Sequence, residues 1–132
     1  NMGSFAGDAP VPLLSTYSAS KAFVDYFSQT LQQEHKRDGI TVKCPTPMFV
    51  ATEMAKMRPS LTVPKPSRLV TDILKNMNRG VVTYSPYWIH SLITSILLSL
   101  PSSIRLNVVH STNLKTKERA LKKLEREKAA KK

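Results

Sequence analysis

Glycine, cysteine and acidic residues are scarce in this 132-residue chain, and each shortage excludes something. Its four glycines, Gly3, Gly7, Gly39 and Gly80, form no glycine-rich turn, so no loop of the kind that cradles a pyrophosphate at a helix N-terminus can be placed. One cysteine, Cys44, excludes an internal disulfide framework and fits a reducing compartment. His35, His90 and His110 lack metal-ligand or triad spacing, which leaves no candidate metal site. Nine acidic residues face 20 basic ones, for a net charge of +11. No secretory signal is readable in the first residues. A chain of 132 residues with 41% apolar content makes one domain at most, with some core but too little for a six- or seven-stranded sheet.

What is present reads as alternating strands and helices, β-α-β-α-β-α. Residues 1–4 read as a strand end, followed by a proline-containing loop to Leu14. Ser15 or Thr16 can cap a helix that runs to about Arg37 and stops at Gly39. On it Ala19, Ala22, Phe23, Tyr26, Phe27 and Leu31 recur at three- and four-residue steps, giving an apolar packing face. Residues 40–44 read as a short strand ended by Pro45 and Pro47, with Cys44 as a small buried residue. A loop or short helix over 54–64, a helix over 67–77 and a strand over 81–84 follow. Such alternation argues for a parallel sheet with crossover helices.

The chemistry-bearing constellation is Tyr17-Ser-Ala-Ser-Lys21 with Ser4 thirteen residues ahead of the tyrosine. If Tyr17 opens a helix, Lys21 lies one turn later on the same face. An adjacent ammonium favours the phenolate, so the phenol can give or take a proton near neutral pH. A serine hydroxyl beside it can hydrogen-bond a carbonyl oxygen as negative charge builds there. With four tyrosines and thirteen lysines, chance supplies a Tyr-x-x-x-Lys about 0.4 times, and the added serine cuts this roughly tenfold. On spacing alone, a helix-start tyrosine with a solvated lysine stays open as the plain alternative.

The flanking residues decide between them. Asn1-Met-Gly-Ser4-Phe-Ala-Gly7, then Pro10-Val-Pro-Leu-Leu14, then Tyr17-Ser-Ala-Ser-Lys21, resembles the catalytic segment of short-chain dehydrogenases/reductases. Pro47-Met-Phe-Val-Ala-Thr52 resembles that family's Pro-Gly-x-Val-x-Thr loop, with Met48 in place of the usual glycine. Together with Lys65-Pro66-Ser67, the apolar run at 87–100 and the basic run at 115–132, these features resemble the branch of very-long-chain 3-oxoacyl-CoA reductases and 17-beta-hydroxysteroid dehydrogenases. The resemblance covers residues 1 to about 110. It implies an α/β fold, the C-terminal half of a Rossmann-like doubly wound parallel sheet, with an apolar helix and a basic C-terminal tail. The expected divisions are 1–86 for the catalytic half-domain, 87–110 for an apolar and membrane-associated segment, and 111–132 for the tail.

By resemblance, Ser4, Tyr17 and Lys21 are catalytic, and Tyr17, Lys21, Pro47, Val50 and Thr52 bind NADPH. Tyr17 would protonate the ketone oxygen, Ser4 would hold it, and Lys21 would also bind the nicotinamide ribose. Thr52 and Val50 would hold the carboxamide. Met54, Met57 and Leu61 read either as a substrate lid or as packing within their own loop. The family's Asn-Asn-Ala-Gly segment and catalytic asparagine are missing, so the chain is expected to be a truncated reductase that, as it stands, neither binds the cofactor tightly nor turns over. Either a 3-oxoacyl-CoA or a 17-oxosteroid would be reduced. The alternative of another class is a non-catalytic, membrane-associated interaction protein.

The C-terminal third carries the expectation of location. Fourteen helical residues at 87–100 would cover about 21 Å, short of the roughly 30 Å hydrocarbon core, so a buried or interfacial helix is expected. His90 within it reads as a satisfied packed histidine, and His35 as a helix-end cation beside Lys36 and Arg37. Residues 115–132 hold nine Lys/Arg and three Glu, hence +6. That run suits anionic lipid, or else a solvated helix with Glu118 and Lys122 one turn apart. The resemblance implies the endoplasmic-reticulum membrane with the site facing the cytosol, fatty-acid elongation enzymes as partners, and a homodimer. The tail has no interleaved aromatics and no groove-reading module is recognisable, which argues against nucleic acid.

Overall fold

A computed structural model describes residues 1–129. Its order is α1 (Phe5–Asp8), α2 (Ser15–Glu34), a 3-10 turn (Lys36–Asp38), β1 (Cys44–Pro45), α3 (Pro66–Lys75), β2 (Thr83–Tyr84), α4 (Trp88–Ser99) and α5 (Ser102–Ala129). The molecule is a mostly helical α/β unit around a small parallel sheet, with Cys44 opposite Thr83 and Pro45 opposite Tyr84.

Residues 1–4 lie extended along the other side of β1. The backbone nitrogens of Asn1, Gly3 and Phe5 donate to the carbonyls of Lys43, Pro45 and Pro47 at 2.9, 3.0 and 3.1 Å. Equal steps in the same direction are the parallel pattern. The return bonds would come from the amides of residues 45 and 47, and both are proline, which has none. Only half a ladder forms, which is why the expected strand at 1–4 is extended chain rather than a full strand. The opposite edge of β1 is complete, with the Cys44 and Thr46 amides donating to Val82 and Tyr84 at 2.9 and 2.8 Å. Pro45 therefore lies inside the strand expected to end before it. The strand placed at 40–44 reduces to β1, and the one at 81–84 to β2.

Three helix expectations also need correction. The loop between the first strand and Leu14 contains α1, whose N-cap is Ser4. The N-cap of α2 is Leu14 and makes no side-chain bond, so neither Ser15 nor Thr16 caps it. The helix ends at Glu34, where His35 donates from Nδ1 to the Asp38 carboxylate at 2.8 Å before the 3-10 turn closes on Gly39 at φ +72°. That left-handed position suits glycine, as the sequence implied.

The apolar face read on α2 points outward. Phe23 and Tyr26 are 67% and 71% exposed, and Phe23 stacks on Phe27 at 5.9 Å between ring centres. The buried stripe is Ser18, Asp25 and Ser28. It tolerates burial because each group is partnered. Ser18 Oγ accepts the Val11 amide at 3.1 Å, and Asp25 accepts from the Thr83 hydroxyl and from Gln29 Nε2. Ser28 Oγ donates to Val24 O at 2.6 Å and accepts from Asn1 Nδ2 at 2.9 Å.

Two apolar clusters hold the remainder. Phe5, Ala6, Ala9 and Val11 pack with Val109 of α5, flanked by Met48 and Leu97. Leu69, Tyr87 and Ile89 form the second, flanked by Val50, Ile73 and Ile93. Cys44 is fully buried, as expected of a small strand residue. In α4, Ile89, His90 and Thr94 are buried while Trp88, Leu92, Ile96 and Leu98 are exposed. The basic run continues α5, a single helix from Ser102 to Ala129, and residues 130–132 of the expected tail lie outside the described residues. Among the described residues no helix is long and apolar enough to cross a membrane.

Candidate active site

The site lies where the parallel strands reach their carboxyl ends, the usual ligand position in open α/β sheets. Ser4 ends the extended segment and Pro47 follows β1, and the 3.1 Å bond from the Phe5 amide to Pro47 O sets the two side by side. Ser4 Oγ accepts the Ala6 amide at 3.3 Å as the α1 cap. An accepting hydroxyl keeps its proton to donate, so the cap does not consume the donor of Ser4.

Tyr17 and Lys21 fall on consecutive turns of α2, as the four-residue spacing implied. Lys21 Nζ stands 5.7 Å from the centre of the Tyr17 ring and donates to Met2 O at 3.0 Å. Tyr17 is 44% exposed, leaving its phenol open to a ligand. No hydrogen bond joins Ser4 to Tyr17 among the described residues.

Gly7 makes this arrangement possible. A β-carbon there would stand 2.7 Å from Lys21 O and 2.8 Å from Lys21 C. The one-turn α1 thus lies directly against the α2 backbone at the lysine itself. The chain then reverses into α2 through Leu13 at φ +71°, a strained setting for a branched residue.

The loop at 47–52 alternates between the two apolar clusters. Met48 packs on the first and Val50 on the second, while Phe49 between them is exposed. The Met48 amide donates to His90 Nδ1 at 3.2 Å, Ala51 to Pro64 O at 3.0 Å, and Thr52 to Val50 O at 2.9 Å. Among the described residues these bonds leave the Phe49 and Val50 amides free for a ligand. Thr52 is exposed, with Oγ1 accepting the Ala55 amide at 3.1 Å. Met54, Met57 and Leu61 are all exposed, so they do not pack their own loop.

A reduced nicotinamide needs a cation and hydroxyl for its ribose and free backbone groups for its carboxamide. Lys21 and Tyr17 are a cation and a hydroxyl of that kind, and the 47–52 loop has unbonded backbone amides among the described residues, so these groups have the chemistry that half of the cofactor takes. The four glycines supply no turn for the pyrophosphate.

Two groups escaped the sequence reading. Burial pushes the Asp8 carboxyl up to about 6, against a hydrogen bond from Thr46 that lowers it and with a further push from the charge of Asp25. Its position in a four-residue helix gave no periodic signal. His90 was read as a satisfied packed histidine and is one, but it joins two segments of the site that lie 14 residues apart in sequence, Met48 and Thr62. Burial pushes its pKa below the ordinary histidine value. No group of three or more potential metal ligands occurs among the described residues.

Residues 1–61 match the family model described as short chain dehydrogenase. The chain is 44% identical over 124 residues to the very-long-chain 3-oxoacyl-CoA reductase of Homo sapiens, covering 93% of this chain and 39% of that protein. It is 42% identical over 127 residues to the protein of that name from Macaca fascicularis, covering 96% and 40%. With the one from Coprinopsis cinerea the identity is 38% over 138 residues, again covering 96% and 40%. The chain spans about two fifths of the length of these curated relatives. No solved structure matches it.

Proposed function

We propose that the chain, which matches the short-chain dehydrogenase model over residues 1–61, is a member of that family and carries the proton-transfer half of a reductase that converts a 3-oxoacyl-CoA to the 3-hydroxyacyl-CoA in fatty-acid elongation. The observation that carries this reading is the placement of Lys21, whose ammonium is tied to Met2 O at 3.0 Å and stands 5.7 Å from the Tyr17 ring. The substrate class is supported by the printed names of the relatives.

The cofactor, when bound, supplies the hydride that reduces the ketone carbon. We take it to be NADPH. Tyr17 gives the proton that the ketone oxygen gains, leaving a phenolate that the Lys21 charge stabilises. Ser4 donates its hydroxyl hydrogen to the same oxygen and steadies the charge that builds there. Lys21 and Tyr17 would hold the ribose, and Pro47, Val50 and Thr52 would frame the carboxamide. The exposed loop carrying Met54, Met57 and Leu61 would close over the acyl chain.

The wider reading follows from the same family. The half-sheet is the C-terminal half of a doubly wound Rossmann-like fold. Because the 132 residues hold no pyrophosphate-binding turn, this chain alone would neither bind NADPH tightly nor turn over. We place the protein at the endoplasmic-reticulum membrane with its site facing the cytosol, as a homodimer among other elongation enzymes. The exposed Trp88, Leu92 and Ile96 of α4 and the basic end of α5 suit a lipid surface.

The test is NADPH oxidation with a long-chain 3-oxoacyl-CoA, measured on the protein as its cell makes it, with Tyr17→Phe beside it. Turnover that the substitution abolishes supports the reading. A folded protein that binds NADPH but reduces neither acyl-CoA nor a 17-oxosteroid overturns it and leaves a non-catalytic membrane-associated role ahead. Reduction of the steroid alone would move the substrate assignment to that class.

A further inference from the structure

His90 is fully buried in the first turn of α4, and both its ring nitrogens are engaged. The Met48 amide donates to Nδ1 at 3.2 Å, and Nε2 meets Thr62 O at 3.0 Å. An amide can only donate and a carbonyl can only accept. One form alone satisfies both contacts, the neutral imidazole with its proton on Nε2. Burial, which pushes the pKa down, favours that uncharged form.

The two partners bracket the exposed loop. Met48 lies in the segment that precedes it and Thr62 in the segment that follows. The bracket is reinforced at neighbouring points. Ala51 donates to Pro64 O at 3.0 Å, and Tyr87, whose ring meets His90 edge-on at 5.0 Å, donates from its hydroxyl to Leu61 O at 2.9 Å. Ser60 and Val63 exchange amide bonds at 3.0 and 3.2 Å. Between these fixed ends the chain is open, with Met54 94% exposed. Among the described residues His90 is the one side chain that bonds both ends.

We infer that His90 is a positioning residue, a neutral staple that joins the entry and exit of the 53–60 loop and thereby sets the Met48–Val50 backbone against the nicotinamide. The second clause rests on the reductase reading, whereas the staple itself rests only on the geometry. His90 touches neither reacting atom nor substrate in this role. It acts through Met48 on one side and Thr62 on the other.

The two arms can be cut separately. In His90→Asn the side-chain oxygen takes the place of Nδ1, so the Met48 bond survives and the Thr62 bond is lost. In His90→Gln the side-chain nitrogen takes the place of Nε2, with the opposite result. Amide hydrogen exchange, read without any cofactor on the protein as its cell makes it, should show Met48 exchanging roughly tenfold faster in the Gln variant and near the parent rate in the Asn variant. Fluorescence titration should then show NADPH binding weakened about tenfold by Gln and little changed by Asn, while KM for the acyl-CoA rises in Asn. Equal Met48 exchange in parent and Gln variant overturns the staple. Faster exchange with unchanged NADPH affinity overturns the positioning role. If neither variant folds, nitrogen-15 correlation of the His90 ring in the parent decides, because a folded protein showing Nδ1–H or a charged ring excludes the staple. A parent that fails to oxidise NADPH with any ketone sinks the reductase reading and leaves the exchange result standing.

Discussion

Lys21 Nζ donates to the carbonyl oxygen of Met2 at 3.0 Å, so the ammonium beside Tyr17 is anchored by the segment that ends in Ser4. One contact therefore sets two members of the site relative to each other. Lys21→Met keeps the length of the stem and removes both charge and anchor. In the protein as its cell makes it, we expect kcat to fall by roughly a hundredfold or more while the circular-dichroism spectrum stays at the parent's. A variant with parental kcat would separate the lysine from catalysis.

Gly7 is the next point of leverage. Its missing side chain lets α1 rest on the Lys21 carbonyl, and a β-carbon at 2.7 Å has no room. Gly7→Ala should cost about 1–3 kcal/mol in urea unfolding, as overpacking does, and should lower turnover because Ser4 caps the displaced helix. Gly80→Ala is the control, since nothing lies within 4 Å of a β-carbon there.

Asp8 gives stability an acid-side dependence. Its pKa rises from 3.8 to about 6 on folding, mainly through burial. The folded state thus binds more protons than the unfolded one between those values, and stability falls as pH rises through them. Asp8→Asn removes that loss and can still accept from Thr46. It should melt higher than the parent at pH 7, and the gap should close near pH 4. His90 works in the opposite sense. Its lowered folded pKa means stability is kept above about pH 6.5 and lost as pH falls below it.

Cys44 should be silent toward thiol reagents while the protein is folded. It is fully buried, and burial pushes its thiol pKa up, away from the reactive thiolate. Labelling by a disulfide reagent should follow the urea unfolding curve. Rapid labelling without urea would mean that the sheet opens at the Gly3–Cys44 contact.

The relation of Tyr17 to Lys21 was legible because it is local. A helix puts the two on one side whatever surrounds them. Long-range pairing was not legible. The outward Phe23 and Tyr26 were assigned to the core because apolar stripes usually face it, yet the inward stripe is polar and finds its partner in Thr83, 58 residues on from Asp25. Pro45 was read as a stop because prolines remove donors, and it does remove one. Only the structure shows that this donor faces the 1–4 segment, which supplies its own. The four-residue α1 was too short to register as a periodic pattern at all.

The long α5 helix separates two kinds of electrostatics. Asn113 Nδ2 donates to Pro12 O at 2.9 Å, tying the helix to the body at that point. The helix from there to Ala129 is about 24 Å long, some three screening lengths in physiological salt, where the Debye length is about 8 Å. Reversing the charges beyond Lys115 would change what the far end attracts and how strongly salt weakens it. The placement of Lys21 beside Tyr17 would be untouched, so attachment and chemistry can be retuned independently.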